Sequence, residues 1–272
     1  MFVQRENRTM LAAATATLSL IYTVTVFDLR RSHRNPLWGL ILHAIQSAVM
    51  VAAFMMMFYV VGVRNSPIRG DFLLFVMSGI FMFRAHVGAI GSVAGAGSSV
   101  SNIMKHGPMN TAVVITGSAL AVLYRTFFSF FVILGGYYLF VPFEIEDPVG
   151  CTAMVLLGWA SGCSIGLVLL SVRPWSPEFT RVASLVIQRA QMICSGKMFV
   201  ANALPGHVLV YFEWNPLFHV IDQTRGFAFI NYTPHHSSIA YPIYVTLALT
   251  MLGLMGEFAG RQYESLSWSA AR

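Results

Sequence analysis

Residues 211–232 read YFEWNPLFHVIDQTRGFAFINY and lie between two long apolar runs of the chain. This stretch is too polar for the hydrocarbon of a membrane and too aromatic for an ordinary loop. Asn215 followed by Pro216 predicts a helix start, because the Asn side chain accepts hydrogen bonds from the first turn and Pro fixes the first helical φ. Gly226 permits the helix to end. Apolar residues recur at helical spacing between these points: Leu217, Val220 and Ile221.

A helix this short cannot cross a membrane, and its polar residues need shelter. Backbone that does not form a spanning helix is tolerated at membrane depth only where protein or a water-filled cavity covers it. We therefore interpret residues 202–238 as an outer segment of re-entrant helices that guards a polar passage. The alternative is a loop helix outside the membrane with aromatic anchors at the interface. Four residues define the re-entrant motif: Asn215, Pro216, Asp222 and Arg225.

The composition is that of a membrane protein. Hydrophobic residues make up 56% of the chain, charged residues 10%, and the mean hydropathy is +0.66, whereas average soluble proteins carry roughly 25% charged residues. A chain of 272 residues has room for about six spans of roughly 20 residues each. Residues 1–272 are therefore predicted to form one transmembrane domain, and any energy-supplying domain must be another chain.

The predicted architecture is all-α. Residues 1–36 are predicted to form a cytoplasmic amphipathic interface helix, although the alternation through 21–27 also permits a strand. Residues 37–201 hold spans one to five, residues 239–259 form span six, and residues 260–272 form a cytoplasmic tail. The first five spans are predicted as follows: 37–61, 72–91, 111–140, 149–172, and a fifth that ends near Ala201.

The distribution of basic residues predicts the orientation. Of the 17 Lys and Arg residues, ten fall in the proposed inner segments, three in the outer segments and four within spans. Basic residues concentrate on the cytoplasmic side of membrane proteins. Both termini are therefore predicted to lie in the cytoplasm. Because the basic residues cluster at span ends, the positive net charge does not indicate a nucleic-acid surface.

Cations outnumber acids within the predicted spans, where Glu257 is the one clear carboxylate. A charge at mid-bilayer costs several kcal/mol unless it is paired, so such residues usually face a cavity, a partner or a substrate. The positive excess favours an anionic cargo and argues against a proton-coupled carrier, which needs acids or histidines. The alternative for Arg84 and Arg125 is that they snorkel or bond to backbone carbonyls. The in-span cations assigned to the cargo path are Arg84, Arg125, Arg189 and Lys197.

Aromatic residues crowd the same regions. The apolar faces of sugar rings pack on flat side chains, so an aromatic and cationic passage suits a sugar polymer. Contact with lipid or with the protein core is the alternative for each residue. The aromatic candidates for the polymer path are Phe54, Phe58, Tyr59, Phe81, Phe83, Tyr211, Phe212 and Trp214.

Glycines spaced four apart occur at positions 158, 162 and 166, in the pair 91 and 95, and in the pair 256 and 260. This spacing predicts close helix packing. The sequence contains no HExxH, CxxC or P-loop motif. The chain is therefore predicted to be no enzyme and to bind no cofactor of its own.

Four stretches together resemble the type-2 ATP-binding-cassette permeases that export capsular polysaccharide and O-antigen across the bacterial inner membrane. They are DLRRSHRNPLWGL (28–40), NIMKHGPMN (102–110), SGKMFVANALP (195–205) and NPLFHVIDQTRGFAF (215–229). The last two look most like the group-2 capsule exporters.

The resemblance implies a permease homodimer with two separate ATPase subunits, which bind ATP and Mg²⁺. It implies a polymer channel lined by spans one, two and five, with Arg84 and Arg125 facing the polymer. The segment that docks into the ATPase would be a coupling helix, formed by Asn102, Met104, Lys105 and His106.

The function implied by the resemblance is export of a lipid-linked, acidic capsular polysaccharide from the cytoplasm to the periplasm, with a further partner in the periplasm or outer membrane. The protein would be a multi-pass protein of the inner membrane. The alternatives are a type-2 permease for O-antigen, lipid or drug, a secondary carrier, and a purely structural membrane subunit.

Overall fold

The computed structural model describes residues 10–31, 35–62, 68, 70–99 and 110–270. These residues contain helices and no strand, so the all-α prediction is confirmed and residues 21–27 are helical. A 3₁₀ turn occupies Ala201–Ala203. The α-helices are α1 (Met10–Arg31), α2 (Pro36–Val61), α3 (Phe72–Ser99), α4 (Thr111–Tyr138), α5 (Pro148–Val172), α6 (Pro177–Cys194), α7 (Gly206–Glu213), α8 (Pro216–Ala228) and α9 (Ala240–Ala270).

Seven of the described helices begin with the same local signal, a polar side chain that accepts a hydrogen bond from a backbone N–H of the first turn. In α2, α5, α6 and α8 a proline follows the cap and supplies the helical φ. The predicted helix start at Asn215 and Pro216 is confirmed. The residues that accept these bonds are Asn35, Asp71, Asn110, Asp147, Ser176, Asn215 and Ser238.

Among the described residues, six helices are long and apolar enough to cross a membrane: α1, α2, α3, α4, α5 and α9. The predicted number of six is confirmed, but the set differs. It includes α1, for which an interface position was predicted, and it omits α6, which contains most of predicted span five. Length and composition do not decide where α1 lies, so its interface position stays a prediction.

The contacts of α1 and α2 show that both helices run in the same direction along α4. Arg31 and Asn35 are only four positions apart, so α2 begins close to where α1 ends. Residues 10–61 therefore traverse the bundle once, not twice. The contacts follow one another along α4 in chain order: Val24 beside Gly117, Asp28 at Arg125, and His43 at Ser129.

Helix α6 ends earlier than predicted. Gly196 has φ +70°, a left-handed conformation that ends a helix, and the chain from Ser195 to Val200 is unwound. This segment continues beside α3, since a Cβ on Gly91 would lie 3.3 Å from Gln188 and one on Gly79 would lie 2.8 Å from the carbonyl oxygen of Lys197. The predicted fifth span is therefore a helix followed by unwound backbone.

The burial pattern of α6 is the reverse of that in a water-soluble helix. Its buried residues are polar, namely Thr180, Ser184 and Gln191. Large apolar side chains point away from the bundle and are exposed: Phe179, Val182, Leu185, Val186 and Ile193. A soluble helix buries its apolar face, so this arrangement suits a helix that faces hydrocarbon or a second protein.

Helix α8 is short and deeply buried. Its 13 residues make a rod of about 20 Å, less than the roughly 30 Å of a hydrocarbon core. A Cβ on Gly158 would lie 3.3 Å from Val220, and Gly158 is ten residues into α5, about 15 Å from its start. Helix α8 therefore reaches the middle of the bundle, and its re-entrant character stays a prediction.

Two details of this region differ from the sequence expectations. Gly226 lies within α8, which continues to Ala228, and a Cβ there would lie 2.9 Å from Pro234. Gly226 therefore permits a close approach and does not end the helix. Helix α9 extends to Ala270, well beyond the predicted end of span six.

Most of the spaced glycines lie where helices nearly touch. A Cβ on Gly162 would lie 2.2 Å from the carbonyl oxygen of His86, and one on Gly256 would lie 2.6 Å from Ser171 Oγ. A Cβ on Gly95 would meet no atom within 4 Å among the described residues. The predicted packing role therefore fits the α3–α5 and α5–α9 contacts but not Gly95.

Candidate functional site

Lys197 is the charged residue of a buried cluster halfway along α3. Its side chain follows the left-handed Gly196 and is 3% exposed. Nζ lies 3.4 Å from the centroid of the Phe83 ring and 5.1 Å from that of Phe54. Among the described residues it has no hydrogen-bond partner. A desolvated cation gains about 2 kcal/mol from an aromatic face, which offsets only part of the cost of taking it from water.

Arg225 in α8 stabilises the unwound backbone that carries Lys197. Its guanidinium donates hydrogen bonds to the carbonyl oxygens of Phe199 (2.6 Å) and Lys197 (2.7 Å), with a longer contact to Gly196 (3.4 Å). The group is 1% exposed and stacks 4.1 Å from the centroid of the Phe75 ring. Carbonyls freed by the end of α6 would otherwise be buried without partners, at a cost of about 1–3 kcal/mol each.

Asp222 and Asn215 complete the buried polar network around α8. Asp222 is 2% exposed and accepts hydrogen bonds from the hydroxyl groups of Tyr232 and Ser237. Asn215 caps α8, and its Nδ2 donates a hydrogen bond of 2.7 Å to Gln191 Oε1 in α6. The predicted re-entrant motif therefore forms one connected structure, in which each polar residue ties α8 to a neighbouring segment.

Arg84 belongs to a separate hydrogen-bonded chain. Its Nη2 donates to His43 Nε2 over 3.1 Å. Because arginine can only donate, His43 is neutral with its proton on Nδ1, which donates to Ser129 Oγ over 3.1 Å. Ser129 in turn donates to the carbonyl oxygen of Arg125 over 2.9 Å. The chain connects α3 through α2 to α4.

Arg125 has a carboxylate partner that the sequence did not reveal. Its Nη2 lies 2.8 Å from Asp28 Oδ2, and the two side chains are 20% and 18% exposed. Its Nε also donates to the carbonyl oxygen of Ala121. Arg125 thus joins α1 to α4 through a carboxylate, a partner that neither sequence interpretation named. It also lines a cavity of about 200 Å³ between α1, α2 and α4.

The remaining aromatic candidates divide into packed and exposed residues. Three pack against other rings: Phe81 on Phe130 (4.7 Å between centroids), Phe58 on Phe72 (5.3 Å) and Phe212 on Phe199 (4.9 Å). Three are exposed: Tyr59, Tyr211 and Trp214. Of these aromatic candidates, the structure therefore brings only Phe54 and Phe83 to the buried ammonium of Lys197.

Arg189 points away from the bundle among the apolar residues of the outer face of α6. At membrane depth a charged group on such a face needs a partner or a polar passage, which is consistent with the predicted path. The predicted coupling residues Asn102, Met104, Lys105 and His106 lie outside the described residues.

Sequence reasoning missed three partners of these residues: His43, Asp28 and Gln191. His43 stands in a stretch of mostly apolar residues, where a polar residue is a usable signal, whereas Asp28 and Gln191 each lie two positions from an arginine and do not stand out. The partner of each residue is 24 to 97 positions away along the chain, so only the fold assigns the pairs. Within the described residues, no group of three or more His, Cys, Asp or Glu side chains is placed to hold a metal ion.

Comparison with known proteins finds a local similarity. No family model matches the sequence. The polysialic acid transport protein KpsM of Escherichia coli is 30% identical over 92 residues, and a second curated sequence of that name is 29% identical over 92 residues. The match covers 34% of this chain, which spans about a third (35%) of the length of these curated relatives. Part of the chain is thus similar to polysialic acid transport proteins, which agrees with the predicted resemblance to polysaccharide exporters.

Proposed function

We propose that this chain is the transmembrane permease subunit of an ATP-driven exporter that moves a lipid-linked, acidic capsular polysaccharide from the cytoplasm to the periplasm. Support comes from the six apolar helices and from the local similarity to polysialic acid transport proteins. The structural observation that carries the proposal is the buried ammonium of Lys197 between Phe83 and Phe54, which has no hydrogen-bond partner within the described part of the chain.

The cluster is chemically complementary to an acidic sugar polymer. A lone cation at mid-depth is costly for the fold, so its retention favours a role with a passing anion. Aromatic rings beside it offer flat faces for sugar rings. In the closed arrangement seen here these rings cover the ammonium, and separation of α2 from α3 would expose it to the polymer.

The energy for this movement comes from a separate subunit. ATP and Mg²⁺ are bound by two partner ATPases, which act on a dimer of this chain through the coupling residues Asn102, Met104, Lys105 and His106. The chain itself catalyses no reaction. It lies in the inner membrane with both termini in the cytoplasm, and a periplasmic or outer-membrane partner receives the polymer.

The first test identifies the partner. The tagged full chain is purified in mild detergent from membranes that express its neighbouring genes, and co-purifying subunits are identified and assayed for ATP hydrolysis. We expect a nucleotide-binding subunit in stoichiometric amount. Its clear absence from membranes that contain it would contradict the exporter proposal.

The second test concerns Lys197. Lys197→Met keeps most of the length of the side chain and removes its buried charge, so the variant should be more stable on heating. We expect its export of an acidic polysaccharide to fall several-fold, and Lys197→Arg to retain part of it. Arg181→Gln removes an exposed cation from the start of α6 and is the matched control. Normal export by Lys197→Met would contradict the role of the ammonium.

A secondary carrier is the second candidate, because the Arg84–His43–Ser129 chain and the Asp28–Arg125 pair supply polar groups of the kind that proton-coupled carriers use. It predicts that the purified chain alone, in vesicles, moves substrate when a proton gradient is applied. The exporter predicts no movement without the ATPase.

A further inference from the structure

An apolar cavity of about 340 Å³ lies between α3, α4 and α5, in the half of the bundle nearest residues 139–147. It is distinct from the Lys197 cluster and from the polar chain of Arg84. Pockets that bind small molecules usually enclose about 300–1,000 Å³, so this volume is large enough for a ligand. Six aromatic side chains form much of its wall: Phe81, Phe127, Phe130, Phe131, Tyr138 and Phe143.

The cavity exists because α4 and α5 do not pack directly on each other. In the other half of the bundle Trp159 Nε1 of α5 bridges the gap by donating to the carbonyl oxygen of Ala119 in α4 over 2.9 Å, beside a second apolar cavity of about 370 Å³. Towards residues 139–147 the space between them is bordered by α3 and closed at its end by Phe143 and Ile145. Both α4 and α5 are candidate membrane spans. A cleft between two such helices therefore opens sideways at membrane depth.

The opening lies beside Gly135 on α4. Gly135 is exposed, and a Cβ there would meet no atom within 4 Å. Phe131 and Tyr138, one turn before and after it, are 70% and 55% exposed. On the α5 side the lining residue Thr152 is also exposed. The cavity thus communicates with the medium that surrounds the bundle.

Four polar side chains of the lining have partners within the protein. The hydroxyl groups of Ser78, Thr152 and Thr224 each donate to a carbonyl oxygen of the preceding turn of their own helix. The thiol of Cys151 points to the carbonyl oxygen of Thr224. Apart from the hydroxyl group of the exposed Tyr138, the surface that the cavity offers to an occupant is therefore apolar and aromatic, which favours a hydrocarbon.

We propose that this cavity binds the hydrocarbon chain of a lipid, inserted between α4 and α5 past Gly135. An empty apolar cavity of this size would cost dispersion contacts on all its walls, and lipid chains are the apolar molecules present at membrane depth. The bound hydrocarbon belongs either to a bilayer phospholipid or to the lipid terminus of the cargo, and both of these lipids carry hydrocarbon chains.

The test uses the full chain in phospholipid vesicles with a phosphatidylcholine that carries a photoactivatable diazirine on its acyl chain. After irradiation, labelled positions are mapped by peptide mass spectrometry. We expect labels to concentrate at the cavity residues of α4 and α5. Gly135→Leu should fill the opening and lower this labelling several-fold. Gly136→Leu is the matched control, since a Cβ on Gly136 also meets no atom within 4 Å and Gly136 does not line the cavity.

A second pair of variants covers the case in which Gly135→Leu does not fold. Thr152→Phe closes the opening from α5, and Ala153→Phe changes its exposed neighbour outside the cavity. Equal labelling in each variant and its control, or uniform labelling of all exposed apolar faces, would overturn the proposal. Crosslinks from the cavity residues to a second copy of the chain would also overturn it.

A competition arm identifies the source of the hydrocarbon. Lipid-linked glycan extracted from producing cells is added as an unlabelled competitor. Selective loss of cavity labelling assigns the site to the cargo lipid, whereas loss only with excess phospholipid assigns it to the bilayer. Either result supports a hydrocarbon site. Because the labelling needs no ATPase and no transport, the outcome does not depend on whether the exporter proposal holds.

Discussion

Arg225 illustrates how one side chain permits a segment of irregular backbone to be buried. Helix α6 ends at Cys194, and the next carbonyl groups have no helical partner. Arg225 supplies donors to the carbonyls of Lys197 and Phe199, and its face packs on Phe75. A lysine carries its donor hydrogens on a single nitrogen atom, so it cannot bridge separate carbonyl groups as the planar guanidinium does. The guanidinium is therefore required for its shape as well as its charge.

We expect Arg225→Lys to lower the free energy of unfolding by about 3 kcal/mol or more, because buried carbonyls lose their donors. The measurement is thermal unfolding of the purified chain in detergent, followed by intrinsic fluorescence. Arg181→Lys is the control, since the Arg181–Glu178 pair is 3.9 Å apart and exposed, and such pairs contribute about 0–1 kcal/mol. Equal stability of the two variants would contradict the role of Arg225.

The second prediction concerns the contribution of the Asp28–Arg125 pair to stability. Asp28→Asn leaves Arg125 without its carboxylate, and Arg125→Gln leaves the acid alone. Each single change should destabilise the fold, and the double variant should lose less than the sum, by about 1 kcal/mol. The cycle is measured by thermal unfolding. Strict additivity would show that the 2.8 Å contact does not stabilise α1 against α4.

The same variants separate two roles of Arg125. If the polymer passes this residue, export falls in the double variant even where the stability is largely restored. If Arg125 only joins helices, export follows the stability of each variant.

Among the helices, α3 and α5 pack closely because glycines, which have no side chain, lie at their contact. His86 of α3 places its backbone carbonyl against Gly162 of α5, where a Cβ would lie 2.2 Å from the oxygen. Backbone atoms cannot move aside without shifting a helix. Close packing through small residues is the usual way in which spans associate.

We expect Gly162→Ala to separate α3 from α5 and to destabilise the protein by several kcal/mol, as overpacking against backbone does. Gly136→Ala is the matched control, because the added methyl group meets no atom within 4 Å and alanine favours a helix by about 1 kcal/mol over glycine. The yield of monodisperse protein and its unfolding temperature report the difference. A tolerated Gly162→Ala would show that this contact is looser than the structure indicates.

Over the whole molecule, the direction of each helix decides the topology. Residues 10–61 traverse the bundle once, and α3, α4 and α5 each traverse it in turn. Helix α6 with its unwound extension runs antiparallel to α3, and α9 runs parallel to α5. The described residues thus traverse the bundle six times, although the six helices that qualify by length and hydropathy include α1 and omit α6.

This count predicts that both termini lie on the same side of the membrane. Reporter proteins that are active only inside or only outside the cytoplasm, fused in turn to each end of the full chain, should both report the cytoplasm. If α1 were a separate crossing, the count would be seven and the two ends would report opposite sides. Opposite sides would therefore contradict the single traverse of α1 and α2.

The sequence by itself determined the features that depend on composition and on neighbouring residues. Low charge and long apolar runs gave the membrane class and the number of spans. Capping pairs such as Asn215 with Pro216 gave the helix starts, because a cap acts within one turn of its own helix. The left-handed Gly196 carried a readable signal for the end of α6, which the apolar run beyond it obscured.

Only the tertiary structure decided which charged residues are paired. Asp28 and Arg125 are 97 positions apart, and His43 and Arg84 are 41 apart, so no local pattern joins them. The same is true of Arg225 and the carbonyls of the unwound segment, and of the cavity beside Gly135. Charge pairing and cavities depend on how whole helices diverge or approach, and that geometry is set by the packing of all the helices together.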